Sequence, residues 1–127
     1  MANREKPSIW IIDNIHRERA NIRAVLIERG FEVEGFVSIF HAVVMLARGI
    51  VEKPAAIVLE IKDLPYQRPE LNELARTGAP IVLLTGVYED SRLIGEQEWA
   101  AVLRRPFTIG QVAGAVERVL EFYKENT

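Results

Sequence analysis

Ala56-Ile57-Val58-Leu59-Glu60 is an unbroken apolar run closed by a single carboxylate, and Leu64-Pro65 follows shortly after it. A run with no polar alternation suits a parallel strand covered by helices on both faces. The last residue of such a strand emerges at the carboxyl edge of the sheet, where open α/β folds place their ligands. Glu60 is therefore the first candidate for a working group.

Working outward, four more apolar runs alternate with segments of helical character. Ile9-Trp10-Ile11-Ile12 reads as a short strand, with Trp10 in the core, and ends at Asp13-Asn14. Residues 16–29 read as a helix with Ile22, Val25 and Leu26 at helical spacing, stopped by Gly30. Phe31-Glu32-Val33-Glu34 alternates strictly, as a half-buried strand near a sheet edge does. Ser38 is the expected N-cap of a second helix through Met45 and Leu46, with Gly49 just past its end. Pro69 opens a short helix over 70–76, after an irregular loop around Pro65. Ile81-Val82-Leu83-Leu84 is a fourth buried strand ending at Thr85-Gly86, and residues 90–98 read as a fourth helix. Ala101-Val102-Leu103 is a fifth strand halted by Pro106, and Thr108 caps a last helix with Val112, Val116, Val119 and Leu120 on its core face. Strands alternating with helices predict an α/β fold, a parallel sheet with right-handed crossovers.

Composition narrows the classes. A chain of 127 residues, 49% hydrophobic and 27% charged, suits one globular domain over 1–127. A formal net charge of −2 gives no general attraction to nucleic acid or to acidic membranes. The absence of cysteine excludes disulfides, thiolate metal sites and a thiol nucleophile. No apolar stretch approaches the ~20 residues needed to span a bilayer, so a cytoplasmic protein is the expectation.

In a parallel sheet every strand ends at the same edge. That gathers Asp13 and Asn14, Glu60, Thr85 and Arg105. Acids of this kind can hold Mg²⁺, one carboxylate can attack phosphorus, and the hydroxyl and cation can bind phosphoryl oxygens. Ile11-Ile12-Asp13-Asn14, Gly30-Phe31-Glu32-Val33, Ile57-Val58-Leu59-Glu60 with Leu64-Pro65, Leu83-Leu84-Thr85-Gly86 and Arg105-Pro106-Phe107 occur in order, each at the proper strand. Together they resemble the response-regulator receiver domains of two-component phosphorelay signalling, over about residues 8–123. The resemblance implies a flavodoxin-like (βα)5 doubly wound sheet of strand order 2-1-3-4-5.

The departures from that pattern matter as much as the matches. Asn14 stands in the family's acidic pair, Glu60 in the place of the phosphoacceptor aspartate, Arg105 in that of a lysine, and Val102 in that of an aromatic switch residue paired with Thr85. Thr85 alone is unaltered. An amide at Asn14 removes charge from a metal site built for carboxylates. Glu60 carries its oxygens about an ångström further than aspartate, a misplacement that can cost ~10²-fold in rate. Arg105 is bulkier than lysine and prefers bidentate carboxylate partners, so a Glu60–Arg105 or Asp13–Arg105 ion pair can fill the pocket. Lys62 adds a further cation near the site.

These changes predict a pseudo-receiver: an atypical, phosphorylation-independent interaction module, not an enzyme, with at most residual autophosphorylation. No cofactor is expected, Mg²⁺ only weakly, through Asp13 and Glu60. Glu60 is read as an ion-pair partner, ahead of a fixed mimic of the phosphorylated state or a plain solvated acid. The alternative is an Mg²⁺-dependent receiver taking phosphoryl at Glu60 from a histidine kinase. A small-ligand binder ranks lower, since no phosphate-cradling glycine loop is present. The resemblance implies protein partners, a histidine kinase, phosphotransfer or output protein, with Ile15 and Trp99 as docking candidates. It also implies a homodimer through the fourth helix, fifth strand and last helix. Arg17, Arg19, Arg23 and Arg29 read as a solvated face balanced by Glu18 and Glu28, and His16 and His41 as surface residues.

Overall fold

The computed structural model describes residues 6–61, 68–86 and 99–125. Lys62, Leu64-Pro65 and the helix expected over 90–98 lie outside them. Five parallel strands form one sheet in the order β2-β1-β3-β4-β5. They are β1 (Ser8–Ile12), β2 (Glu32–Phe36), β3 (Ala56–Glu60), β4 (Ile81–Thr85) and β5 (Ala101–Arg104). The described helices are α1 (His16–Glu28), α2 (Ile39–Ala47), α3 (Arg68–Ala75) and α4 (Ile109–Glu125). The strand order expected from the resemblance is the observed one.

The apolar runs separate into two layers because side chains alternate across a sheet. Ile9, Ile11, Val58, Val82 and Leu84 pack beneath α1 and α4 with Ile22, Leu26, Val112 and Val116. Trp10, Ile12, Ile57, Leu59 and Leu83 pack on the other face with Ala42 of α2 and Leu71 and Leu74 of α3. Trp10 is fully buried and meets Phe36 edge-on, ring centroids 5.2 Å apart. β2 lies at the sheet edge: Val33 faces the α1/α4 layer, and Glu32 and Glu34 share the opposite face with Phe36 but remain exposed.

The helix ends follow local chemistry. Ser38 Oγ accepts from the His41 N–H at 3.1 Å, as expected of an N-cap. Thr108 Oγ1 accepts from the Gln111 N–H at 3.0 Å, and Gln111 returns an acceptor to the Thr108 N–H at 2.7 Å. This reciprocal pair closes the start of α4. α1 ends at Glu28, one residue before the expected Arg29, and Gly30 turns the chain with φ 95°. α3 starts at Arg68 rather than at Glu70, since Pro69 is tolerated in a first helical turn. β5 runs one residue further than expected, to Arg104, because that residue still pairs with Thr85.

Trp10→Ala is expected to cost about 3–5 kcal/mol, the loss for a buried aromatic. Thr108→Ala should cost only about 1 kcal/mol, the value of a cap. Urea denaturation of the two variants, compared at equal m-value, checks the ranking.

Candidate functional site

Counting the alternation to the strand ends divides the expected pocket. Asp13, Glu60 and Arg105 fall on the α1/α4 side of the sheet, and Thr85 falls on the α2/α3 side. Asp13 and Glu60 are buried, and the Glu60 side chain is only 1% exposed. Two buried acids at neighbouring strand ends need compensation, because an unpaired buried charge is costly.

Arg105 supplies it. One guanidinium nitrogen, Nη1, donates to Glu60 Oε2 at 2.7 Å. The other, Nη2, donates to both carboxylate oxygens of Glu18 at 2.6 and 2.7 Å. The planar fork of arginine is suited to two acceptors at once, which a lysine ammonium is not. The backbone beside it is pinned, the Arg105 N–H donating to the Thr85 carbonyl at 2.9 Å. The guanidinium carbon also stands 5.0 Å from the centre of the Phe107 ring, within cation–π range. Burial opposes the Arg105 charge, but hydrogen bonds to Glu18 and Glu60 outweigh it and hold its pKa above the ordinary value. Of the two ion pairs anticipated for Arg105, the one with Glu60 is formed and the one with Asp13 is not.

Glu18 is the residue that the sequence reading missed. It was expected only as a counter-charge on a solvated face, yet its side chain is 16% exposed and holds Arg105. The first turn of α1 lies over the sheet edge, and an acid there is also favoured by the helix dipole. That first-turn position, five residues after Asp13, was the available signal.

Asp13 has a different solution. Its Oδ1 accepts from the Ile15 N–H at 2.8 Å, which starts α1, while Oδ2 is buried without a donor. Burial, then the neighbouring Glu18 carboxyl and the charges of Glu18 and Glu60, push the Asp13 pKa up to about 8 against the pull of the Ile15 N–H. The protonated form of Asp13 is thus favoured to higher pH than in a free aspartate, with Glu18 and Glu60 the acids that disfavour its charge. The Asp13 carbonyl also accepts from Arg19 Nη1 at 2.6 Å. Arg19 reaches it by crossing Gly35, where an added Cβ would stand 3.2 Å from the arginine Cδ. Arg19 is therefore a structural group rather than part of a solvated stripe, whereas Arg17 and Arg23 are exposed as expected.

The other expected residues are not part of this cluster. Asn14 is exposed, and Ile15 beside it is half-buried at the N-cap of α1. Thr85 is fully buried, and its hydroxyl makes only a long 3.5 Å contact to the Gly86 carbonyl. Val102, opposite Leu83 in the register, is exposed. Trp99 precedes β5 and so sits at the opposite end of the sheet, half-buried against the α2/α3 core. With Phe122 and Tyr123 of α4 it lines a cleft of about 470 Å³. No three histidine, aspartate or glutamate side chains among the described residues converge as a metal site. No described helix is long and apolar enough to cross a membrane.

No protein-family model matches the sequence, and no curated protein matches it either. Solved structures do match. A response regulator receiver protein from Sinorhizobium medicae WSM419 is 22% identical at TM-score 0.77, with 94% of this chain and 98% of that one covered. A response regulator receiver domain protein from Clostridium thermocellum is 18% identical at TM-score 0.77, covering 95% and 99%. The signal receiver domain of a modulated diguanylate cyclase from Desulfovibrio desulfuricans G20 is 16% identical at TM-score 0.77, covering 97% and 100%. The five-stranded parallel sheet in the order 2-1-3-4-5 is thus the flavodoxin-like fold of response regulator receiver domains.

Proposed function

We propose that this chain is a receiver-type module of two-component signalling that works by protein contact and without phosphorylation. The observation that carries the reading is the Arg105 fork between Glu60 and Glu18. A carboxylate attacks phosphorus only if its oxygens are free to approach in line. Glu60 Oε2 is instead held by a guanidinium, and Arg105 could turn to a phosphoryl group only by giving up one of its acids. Mg²⁺ fits no better: Asp13 holds its proton, Asn14 is an exposed amide, and a fixed cation already neutralises Glu60. On this reading the module binds a histidine kinase, phosphotransfer or output protein, and Ile15 and Asn14 at the rim offer the contact nearest the site. The module carries no enzymatic activity of its own.

The direct test adds Mg²⁺ with acetyl phosphate, or beryllofluoride, and follows intact mass and the amide signals of Glu60 and Thr85. Neither should change. A saturable adduct or shift would establish the alternative, an Mg²⁺-dependent receiver accepting phosphoryl at Glu60. The double variant Glu60→Asp/Asn14→Asp is expected to gain measurable Mg²⁺ affinity, which calorimetric titration would read.

Arg105→Ala strands one fully buried and one half-buried acid, so we expect a loss on the order of 3 kcal/mol in denaturant unfolding. Arg105→Lys should lose less, since an ammonium keeps the charge but can satisfy only part of the fork.

Stability should also depend on pH through Asp13. Its folded pKa of about 8 lies above the ordinary value of 3.8, so the native state favours the extra proton between those limits. The Asp13 contribution is therefore complete below about pH 4 and is lost as pH rises through about 8. The asparagine of Asp13→Asn imitates the protonated acid. The variant should flatten this slope and melt about 5 °C above the parent at pH 9. Melting curves from pH 6 to pH 9 check it, and an unchanged slope in the variant would contradict the buried proton.

A further inference from the structure

Helix α2 is the one described helix that carries no charged residue, over all of Ile39–Ala47. Apart from exposed His41 it is apolar all round, and such a helix is ordinarily a buried one. Only one side of α2 is buried: Ile39 and Ala42 enter the core, and Val43, Met45 and Leu46 pack partly against it. The opposite side carries Phe40, Val44 and Ala47 at helical spacing, and Phe40 is 65% exposed. Val37 before the helix and Ile50 after it are exposed as well, 53% and 57%. Val37, Phe40 and Ile50 together leave on the order of 300 Å² of apolar side chain in water, given that one buried aromatic covers about 150–250 Å². A patch of that size is at the scale that marks interaction sites.

We propose that this face of α2 is a two-fold contact with a second copy of the chain. In such a contact one patch meets itself, so any net charge on it is set against its own sign. From Val37 to Val51 the only charged residue is Arg48. The alternatives are worse for self-contact: α1 presents exposed Arg17 and Arg23, and the β2 edge presents exposed Glu32 and Glu34. Antiparallel packing of α2 on α2 lays uncharged surface on uncharged surface. It also keeps the Arg48 residues of the two copies at opposite ends of the contact, whereas a parallel arrangement would oppose Arg48 to Arg48. A standard interface buries about 800 Å² per partner, a little over half of it apolar, so this patch supplies most of what a weak dimer needs.

This contact uses a different surface from β5 and α4. It also adjoins the site, because Phe36, next to Val37, accepts from the Asp13 N–H at 3.0 Å. The inference does not depend on whether Glu60 takes phosphoryl.

Sedimentation velocity of the full chain from about 5 to 500 µM, where so small a contact dissociates, tests it. The expected result is a mass that rises to that of a dimer with concentration. Phe40→Asp should weaken dimerisation at least ~10-fold with unchanged circular dichroism, since the side chain is exposed. Ala47→Glu, near the other end of the helix, gives a second reading if Phe40→Asp loses helical signal. Phe122→Asp on α4 should leave the dimer intact. A monomer across the whole range, a dimer that survives both α2 variants, or one lost with Phe122→Asp would each overturn the proposal.

Discussion

The guanidinium of Arg105, shared between Glu60 and Glu18, is the interaction on which the carboxyl edge of the sheet depends. Strand alternation delivers Asp13 and Glu60 to the same side of the sheet, and α1 lays Glu18 over them. Three acids then crowd one partly dry corner. Left ionised and unpaired they would oppose the fold that brings them together. The protein resolves this with one fixed cation and one retained proton. Arg105 bridges Glu60 and Glu18, and the raised pKa of Asp13 lessens the repulsion that a third ionised acid would add. Arginine suits the task because its fork satisfies two carboxylates in one plane while its charge does not titrate.

The same arrangement bears on chemistry. A receiver that turns over phosphoryl groups needs its acid free, its metal site open and its cation available for the product. Here those requirements compete for the same atoms. Releasing Glu60 leaves a buried carboxylate exposed to no donor from Arg105, and redirecting Arg105 uncovers Glu18. Breaking a buried pair costs far more than its formation from well-packed apolar groups would have gained. The clamp is thus better suited to holding one conformation than to passing between two, which agrees with the reading of the chain as a contact module.

Much of this was legible in the sequence, for identifiable reasons. The five strands were readable because buried parallel strands leave unbroken apolar runs, as in Ile81-Val82-Leu83-Leu84. The Glu60–Arg105 pair was readable because both residues close strands that end at one edge. Glu18 was not, because its role depends on the azimuth at which α1 crosses the sheet, which helical spacing within α1 does not encode. Arg19 was hidden for a related reason: its path to the Asp13 carbonyl requires the missing side chain of Gly35 on the following strand. Thr85 was correctly placed at a strand end, but its face follows only from counting the alternation from Ile81. The apolar outer side of α2 escaped notice because sequence spacing does not say which of its apolar residues the neighbouring layers cover.

A path of contacts joins α2 to the clamp. The Phe36 ring stands edge-on to Trp10 and to His41 of α2, and the Phe36 carbonyl receives the Asp13 N–H. Contiguity alone does not make a signal, since coupling requires an element with two arrangements that both sites can bias. In a switching receiver, phosphorylation supplies the second arrangement. On the proposed reading, Arg105 tied to two acids holds the described corner in one arrangement. A partner bound near α2 would then meet a surface already in its final form, and its affinity would carry no cost for selecting a minor state.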